Sequence, residues 1–197
     1  EIEAQVLEKA KLRVLGYMER GPRELTSSRP VKTPGDLKGM KIRLPNVPIF
    51  LAAWEALGAK PIPMAFSEVF TSLQQGTIEG QENPYALISS AHFYEVQKYL
   101  NKTSHVRGWI YVCIGEKRFA SLPDDLKKVI LDAGREMQAY ENTLFLEEEG
   151  KLEKFLKEKM TFVDVDQAAF AKIASEAVLK NLNDGQKEMY KKIQAIQ

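Results

Sequence analysis

The chain has 197 residues, of which 28% are charged and 44% are hydrophobic, and its formal net charge is +1. This length can bury a real core, either as one large domain or as two smaller lobes. The near-neutral charge argues against nucleic acid or an anionic membrane surface as a partner. No apolar run approaches the ~20 residues needed to cross a bilayer. The single cysteine, Cys113, excludes an intrachain disulfide and a cysteine-based zinc site.

The first forty residues predict a helix, a strand and two turns. Apolar residues among positions 2–10 indicate the end of an amphipathic helix, and positions 12–17 predict a strand. Gly21-Pro22-Arg23 is typical of a turn, which we expect to lead into a polar loop through Arg29-Pro30. Residues 34–39, PGDLKG, predict a second turn before the next strand.

The segment from Lys41 begins a run of alternating strands and helices. Residues 41–44 alternate polar and apolar side chains, as a strand does, and Pro45 is expected to end that strand. Apolar residues then recur at helical spacing until Gly58 stops the helix.

The same alternation continues to Pro84. Residues 59–64 form a second short apolar segment, and Ser67 is expected to cap a helix that ends at Gly76. A third strand then leads to Asn83-Pro84, where the proline suits the first turn of another helix. Strand, helix, strand, helix and strand in this order predict crossover connections and a mainly parallel sheet.

Arg43 lies where the first of these strands ends, and Asn83 lies where the third ends. In open parallel sheets, ligands bind beyond the carboxyl ends of the strands. Helices that begin near Asn46 and Pro84 would point free backbone N–H groups at the same space, which favours an anion. A planar guanidinium matches a carboxylate through two parallel hydrogen bonds. The sequence therefore predicts a pocket for a small carboxylate at this edge of the sheet.

The second half of the chain predicts a long helix. After two strand-like segments at 99–105 and 109–115, apolar residues keep helical spacing from about 122 to 159. At 1.5 Å per residue such a helix is roughly 57 Å long, so we expect it to span two lobes. Gly134 and Gly150 are expected to be its weak points. A strand at 161–165, a helix opened by Asp166 and a last helix from Asp184 complete the pattern.

Five short stretches resemble the substrate-binding proteins of tripartite ATP-independent periplasmic (TRAP) transporters, the DctP-like family. These stretches are Gly39-Met40-Lys41-Ile42-Arg43, Pro63-Met64-Ala65-Phe66-Ser67-Glu68-Val69, Leu73-Gln74, Gly80-Gln81-Glu82-Asn83-Pro84, and Phe93-Tyr94-Glu95-Val96-Gln97-Lys98-Tyr99. The similarity extends from about residue 1 to residue 180, and the motifs are concentrated between residues 21 and 105.

The resemblance implies an α/β fold of the periplasmic binding protein-like type (type II), with two lobes, mixed and mainly parallel sheets, and a long lobe-spanning helix. Residues 21–108 plus 149–178 would form the ligand-binding lobe II. Residues 1–20 plus 109–148 would be a remnant of lobe I with the long helix, and 179–197 a C-terminal helix. Family members carry a further N-terminal portion, which we expect to be missing here. Apolar surface on 109–148 would then be exposed and invite pairing with that segment or another chain.

The resemblance also implies the roles of five ligand-binding residues, Arg43, Arg23, Asn83, Phe66 and Asn46. Arg43 would hold the carboxylate, Arg23 would approach it from an earlier segment, and Phe66 would pack against the ligand. Four of these residues have a structural alternative. The arginines can be surface ion-pair residues and Phe66 can be a core side chain. Asn83 can be a helix cap, and we expect it to share capping with ligand binding.

Other residues are expected to be structural. Trp54 and Trp109 are predicted to lie in the core, and Cys113 is predicted to be a buried, inert thiol. The histidines, His92 and His105, have no carboxylate nearby at a catalytic spacing. Glu79 and Glu82 would face opposite sides of a strand, which argues against an acid–base pair.

These observations predict an extracytoplasmic solute receptor rather than an enzyme. It would bind a small organic acid in the periplasm and deliver it to TRAP membrane subunits, with no cofactor, metal or nucleic acid. C4-dicarboxylates, sugar acids, sialic acid and keto acids all fit an arginine anchor. The alternative is an enzyme or sensor domain that reuses the same fold, which the fold alone does not exclude.

Overall fold

The structure is a computed structural model that describes residues 2–196. The chain divides into two compact units. The first unit comprises Glu1–Gly21 and Arg107–Glu153, and the second comprises Pro22–Val106 and Lys154–Gln197. None of the helices in the described range is both long enough and apolar enough to cross a membrane.

Six strands form one mixed sheet in the order β3-β2-β4-β1-β5-β6. The strands are β1 Leu12–Ser27, β2 Lys41–Leu44, β3 Lys60–Pro63, β4 Gly80–Asn83, β5 Tyr99–Gly115 and β6 Thr161–Val163. Strand β2 pairs in parallel with β3 and β4, and β5 pairs in parallel with β6, whereas β1 pairs antiparallel with β4. This arrangement confirms the predicted α/β fold with a mixed, mainly parallel sheet.

Helices connect most of the strands. They are α1 Ile2–Ala10, α2 Pro48–Ala56, α3 Val69–Gln74, α4 Tyr85–Ser90, α5 Glu116–Ala120, α6 Asp124–Lys159, α7 Gln167–Asn181 and α8 Asp184–Gln194. Short 3₁₀ turns occur at Pro34–Leu37, Phe66–Glu68 and Phe93–Glu95. The predicted long helix is confirmed as α6, whose 36 residues give a length of roughly 54 Å and fall in both units.

The predicted turn at Gly21-Pro22-Arg23 is wrong, and the polar loop through Arg29-Pro30 begins only after Ser27. Strand β1 runs through these positions to Ser27, and Gly21 takes a positive φ of 70° within it. Three polar residues that indicated a loop are buried instead, because β1 lies between β4 and β5 in the sheet: Glu24, Thr26 and Ser27. The two strands predicted at 99–105 and 109–115 are likewise one strand, β5.

Ser67 does not cap a helix. It lies within the 3₁₀ turn Phe66–Glu68, which leads directly into α3. The carboxylate of Glu68 instead accepts a hydrogen bond from the backbone N–H of Ala65. Gly58 and Gly76, which were predicted to end helices, both take positive φ values, as expected of C-terminal glycines.

The second unit has a well-formed hydrophobic core. Its central cluster contains Leu25 from β1, Ile42 and Leu44 from β2, Trp54 from α2 and Phe170 from α7. The prediction that Trp54 lies in the core is therefore confirmed. This packing fixes the ends of β1, β2 and β4, where the candidate site lies.

The first unit has little core of its own. Among the large apolar side chains that the structure describes there, only Phe119 is buried. Trp109 is 56% exposed and Cys113 is also exposed, so the predictions of a core tryptophan and a buried thiol are wrong. Exposed apolar side chains do occur on 109–148, as predicted: Trp109, Ile110, Tyr111, Leu126, Val129, Tyr140, Leu144 and Leu146.

Candidate functional site

Three neighbouring strands of the second unit bring two arginines and an asparagine together. Arg43 lies on β2, Asn83 ends β4 and Arg23 lies on β1, and these strands are adjacent in the order β2-β4-β1. Arg43 is in register with Gln81 of β4, and Asn83 is in register with Glu24 of β1. The sheet thus gathers three of the five predicted site residues at one edge.

Arg43 is a buried guanidinium that no carboxylate contacts. Arg43 is only 5% exposed. Its Nε and Nη2 atoms both donate to the carbonyl oxygen of Met64, at 3.1 and 2.8 Å. Burial lowers the pKa of the Arg43 guanidinium, the negative charge of Glu82 opposes that effect, and the positive charge of Arg23 adds to it. A buried charge is costly unless it is paired. This site therefore favours an incoming anion.

Arg23 is held by a different set of partners. Its Nε and Nη2 atoms form a fork on the carboxylate of Glu82, and Nη2 also lies 2.8 Å from the Glu82 carbonyl oxygen. The same Nη2 lies 3.0 Å from the side-chain oxygen of Asn83. Such bidentate geometry orients a guanidinium strongly. The surface ion-pair alternative for the two arginines does not hold, because both side chains are largely buried.

Each arginine retains one free donor group. Among the described residues, no protein acceptor lies within hydrogen-bonding distance of the Nη1 atom of Arg23 or of Arg43. Both Nη1 groups therefore keep N–H donors that no hydrogen bond among the described residues uses. With two guanidinium groups and the single carboxylate of Glu82, the cluster has a surplus of one positive charge.

Phe66 lies beside Arg43. The guanidinium carbon of Arg43 is 5.8 Å from the centre of the Phe66 ring, and that ring is packed edge-on against Phe93. Phe66 is 42% exposed, so the alternative that it is a core side chain does not hold. An exposed ring next to a buried cation can cover the apolar part of a ligand.

Asn83 is buried and takes part in a polar network. Its side-chain oxygen accepts from Arg23, and its Nδ2 donates to the side-chain oxygen of Gln81 at 2.6 Å. Gln81 in turn donates to the hydroxyl of Thr26. No side chain caps α4, where Pro84 occupies the N-cap position, so the predicted capping role of Asn83 is wrong.

Asn46 is not joined to this cluster by any hydrogen bond among the described residues. It lies in the segment between β2 and α2, and its side chain is exposed. Helix α2 begins at Pro48, so the helix expected near Asn46 starts two positions later. Asn46 stays a predicted site residue without a structural contact.

The sequence did not indicate the contribution of Glu82 and His105. Glu82 is fully buried. Its carboxylate is hydrogen-bonded to Nε2 of His105 at 3.0 Å, in addition to its bonds with Arg23. The edge of the His105 ring packs on Trp54 at a centroid distance of 5.0 Å. No spacing in the sequence links these residues, since their contact depends on the pairing of distant strands. Glu79 lies elsewhere and accepts from the backbone N–H of Lys41, so the two glutamates do not form a pair.

The environment of Glu82 keeps it ionised. Burial alone raises the pKa of its carboxyl group, but the hydrogen bonds from His105 and Arg23 outweigh burial and hold that pKa below its ordinary value. An ionised Glu82 neutralises one of the two arginines. Within residues 2–196, no three His, Cys, Asp or Glu side chains lie close enough together to hold a metal ion.

Relatives of the chain include solute-binding proteins of known structure. A solute-binding protein of Roseobacter denitrificans is 53% identical over 185 residues, which are 93% of this chain and 57% of the relative. The 2,3-diketo-L-gulonate-binding periplasmic protein of Escherichia coli is 42% identical over 168 residues, 84% of this chain and 51% of that protein. The chain thus spans little more than half the length of these relatives.

The fold agrees with that of solved TRAP periplasmic solute-binding proteins. One from Roseobacter denitrificans, solved with bound L-galactonate, matches with a TM-score of 0.89 and 50% identity, over 98% of this chain and 65% of that one. Residues 2–192 also match the profile of the family described as bacterial extracellular solute-binding protein, family 7 (DctP). The chain therefore belongs to the DctP family of bacterial extracellular solute-binding proteins.

Proposed function

We propose that this chain is the anion-binding part of an extracytoplasmic solute receptor of the TRAP type. The observation that carries the proposal is the buried Arg43 guanidinium, whose only hydrogen-bond acceptor within residues 2–196 is the neutral carbonyl of Met64. A carboxylate from a ligand would supply the missing opposite charge, since arginine is the side chain best suited to that group.

The free donors define how the ligand binds. The Nη1 atoms of Arg43 and Arg23 would each donate to the ligand, and Phe66 would pack on its carbon chain or ring. Asn83 holds Arg23 in place from one side and would also contact the ligand. Asn46 would contribute from the segment after β2.

The charge of the site favours a monocarboxylate over a dicarboxylate. Glu82 neutralises Arg23, which leaves the single positive charge of Arg43 for the ligand. A second carboxylate would find a buried anion in Glu82 rather than a partner. Relatives bind hydroxylated monocarboxylates, among them L-galactonate, 2,3-diketo-L-gulonate and sialic acid. We therefore propose a sugar acid as the ligand class.

The remaining parts of the proposal follow from the family. The receptor would act in the periplasm, bind without chemical conversion and deliver its ligand to TRAP membrane subunits. We propose residues 21–108 plus 149–178 as the ligand-binding lobe, 1–20 plus 109–148 as part of the other lobe, and 179–197 as a C-terminal helix. The exposed apolar side chains of the first unit would be covered by a further polypeptide segment or by another chain.

The proposal is tested by titrating the chain with L-galactonate. We expect Arg43→Ala to lose roughly 2–5 kcal/mol of binding free energy, because truncation removes one side of a buried charge pair. Arg43→Lys should recover only part of this loss, since an ammonium lacks the planar fork. Calorimetry or NMR titration measures both variants.

The matched control is Arg29→Ala, which removes an exposed arginine from the same unit. An unchanged affinity in Arg43→Ala, or an equal loss in Arg29→Ala, would remove Arg43 from the site. Recovery of unmodified L-galactonate from the denatured complex is expected of a receptor. Conversion of the acid during incubation would support the enzyme alternative instead.

A further inference from the structure

Ser104 has a left-handed backbone although it lies inside a strand. Its φ is +42°, within β5 (Tyr99–Gly115). Serine seldom adopts this region, because its Cβ approaches the neighbouring carbonyl oxygen. A strained conformation of this kind persists only where the surrounding structure holds it in place, and it is often found near functional sites.

Glu24 supplies the contacts that hold Ser104. One carboxylate oxygen of Glu24 accepts from the backbone N–H of Ser104 at 2.7 Å, and the other accepts from its hydroxyl at 2.8 Å. Glu24 is only 1% exposed. Burial raises the pKa of its carboxyl group, and the two bonds from Ser104 work against that effect. The buried carboxylate and the strained serine therefore stabilise each other.

Ser104 is the single residue between two side chains that bond to each other. The Thr103 hydroxyl and the Nδ1 atom of His105 lie 2.8 Å apart, and Nε2 of the same imidazole contacts Glu82. The ring proton on Nε2 must donate, because a carboxylate only accepts. The backbone angle at Ser104 thus sets the position of the imidazole, and with it one of the two partners that hold Glu82.

We infer that Glu24 and Ser104 are positioning residues for the anion site. The Glu24 carboxylate holds Ser104 in its left-handed conformation, which places His105 against Glu82 and so orients Arg23. Glu24 makes no hydrogen bond to either arginine, and its influence passes through β5. The inference rests on the proposed function, because Arg23 serves as a ligand group only in a site that binds an anion.

A double-mutant cycle separates this role from a general effect on stability. Glycine adopts a positive φ without strain, so Ser104→Gly no longer needs a partner to hold the backbone. We expect Glu24→Gln to weaken L-galactonate binding about tenfold in the wild-type background. In the Ser104→Gly background, the further loss caused by Glu24→Gln should shrink to less than about twofold. Glu55→Gln, which removes an exposed carboxylate from the same unit, is the control for net charge.

A second readout needs no ligand. The chain has two histidines, and His92 is exposed, so a slowly exchanging imidazole N–H signal in the NMR spectrum belongs to His105. His92→Asn confirms that assignment. We expect the signal in the wild type, its loss in Glu24→Gln, and its return in the Glu24→Gln, Ser104→Gly double variant.

Each outcome decides the inference. Equal losses of affinity in both backgrounds, or an imidazole signal that survives Glu24→Gln in the wild-type background, would overturn it. If no variant binds L-galactonate while the imidazole signal is lost in Glu24→Gln and restored in the double variant, the proposed function fails, whereas the coupling of Glu24 and Ser104 to His105 stands. If Glu24→Gln does not fold, Ser104→Ala replaces it, since this change removes only the hydroxyl bond. A partial loss of the imidazole signal is then expected, and an undiminished signal contradicts the inference.

Discussion

The second unit encloses its arginine–glutamate pair, whereas the first unit leaves a pair of the same geometry at its surface. In the second, Arg23 forks onto a Glu82 carboxylate that is fully buried. In the first, Arg13 forks onto Glu116 at 2.8 and 2.7 Å, and both side chains remain about one third exposed. Identical chemistry is thus placed in two dielectric environments.

The difference follows from the packing around each pair. Almost all buried apolar side chains of the described chain lie in the second unit, where they exclude water from the ends of the strands. The first unit brings its backbone segments together without covering its apolar side chains. Burial converts an ordinary ion pair into a fixed part of a binding site, because a desolvated charge holds its partners strongly.

The largest expected effect compares Glu82→Gln with Glu116→Gln. We expect Glu82→Gln to destabilise the chain by roughly 3–5 kcal/mol at neutral pH, because it leaves the Arg23 charge buried without its partner. Glu116→Gln should change stability little, since water screens that pair. Urea unfolding followed by circular dichroism measures both variants.

The pH dependence of the same comparison has a definite sign. The folded-state pKa of Glu82 lies below the ordinary glutamate value of 4.5. The contribution of Glu82 to the free energy of unfolding is therefore complete above pH 4.5 and is lost as the pH falls through the lower folded-state pKa. The difference between wild type and Glu82→Gln should shrink over this acidic range. A difference that stays constant down to the acid unfolding transition would contradict the ionised Glu82.

A matched leucine pair tests the two cores. Leu44 is fully buried in the second unit, and Leu146 is 69% exposed in the first. We expect Leu44→Ala to cost roughly 2–5 kcal/mol and Leu146→Ala to stay within about 0.5 kcal/mol. Urea unfolding measures both, and in a Trp109→Phe background the fluorescence of Trp54 reports on the second unit alone. Comparable losses would show that the face around Leu146 is covered in solution.

Local patterns in the sequence were sufficient to predict many of the strands and helices of the second unit. The alternation at 41–44, the proline that follows it and the helical spacing up to Gly58 predicted β2 and α2 closely. They failed at Gly21-Pro22-Arg23, because a strand in the middle of a sheet can bury polar residues that bond to one another. The strand propensity and polarity of a residue predict its structure and burial correctly only where its tertiary contacts favour the same outcome.

The candidate site was predictable only in part, for a similar reason. Arg43 and Asn83 were found from their positions at strand ends, and the structure brings them together with Arg23. Glu82 and His105 were missed, since the bond between them depends on how β1, β4 and β5 order themselves in the sheet. In the first unit, periodicity predicted α6 but could not indicate which of its apolar side chains find a partner.

The smallest expected effect concerns two glycines inside α6, Gly134 and Gly150. A Cβ on Gly134 would lie 2.4 Å from the backbone oxygen of Leu15, whereas a Cβ on Gly150 would meet no atom within 4 Å. Gly134 therefore allows a close approach of the helix to β1, and the sequence alone gave no reason to separate it from Gly150. The first unit relies on this backbone contact in place of a side-chain core.

We expect Gly134→Ala to destabilise the chain by about 1–3 kcal/mol, because the backbone must move to admit the methyl group. Gly150→Ala should instead stabilise it by about 0.5–1 kcal/mol, since alanine is the better helix former and nothing obstructs it. Thermal unfolding followed at the helix band of the circular dichroism spectrum measures both. Stabilisation by both alanines would mean that α6 and β1 are not in close contact at Gly134.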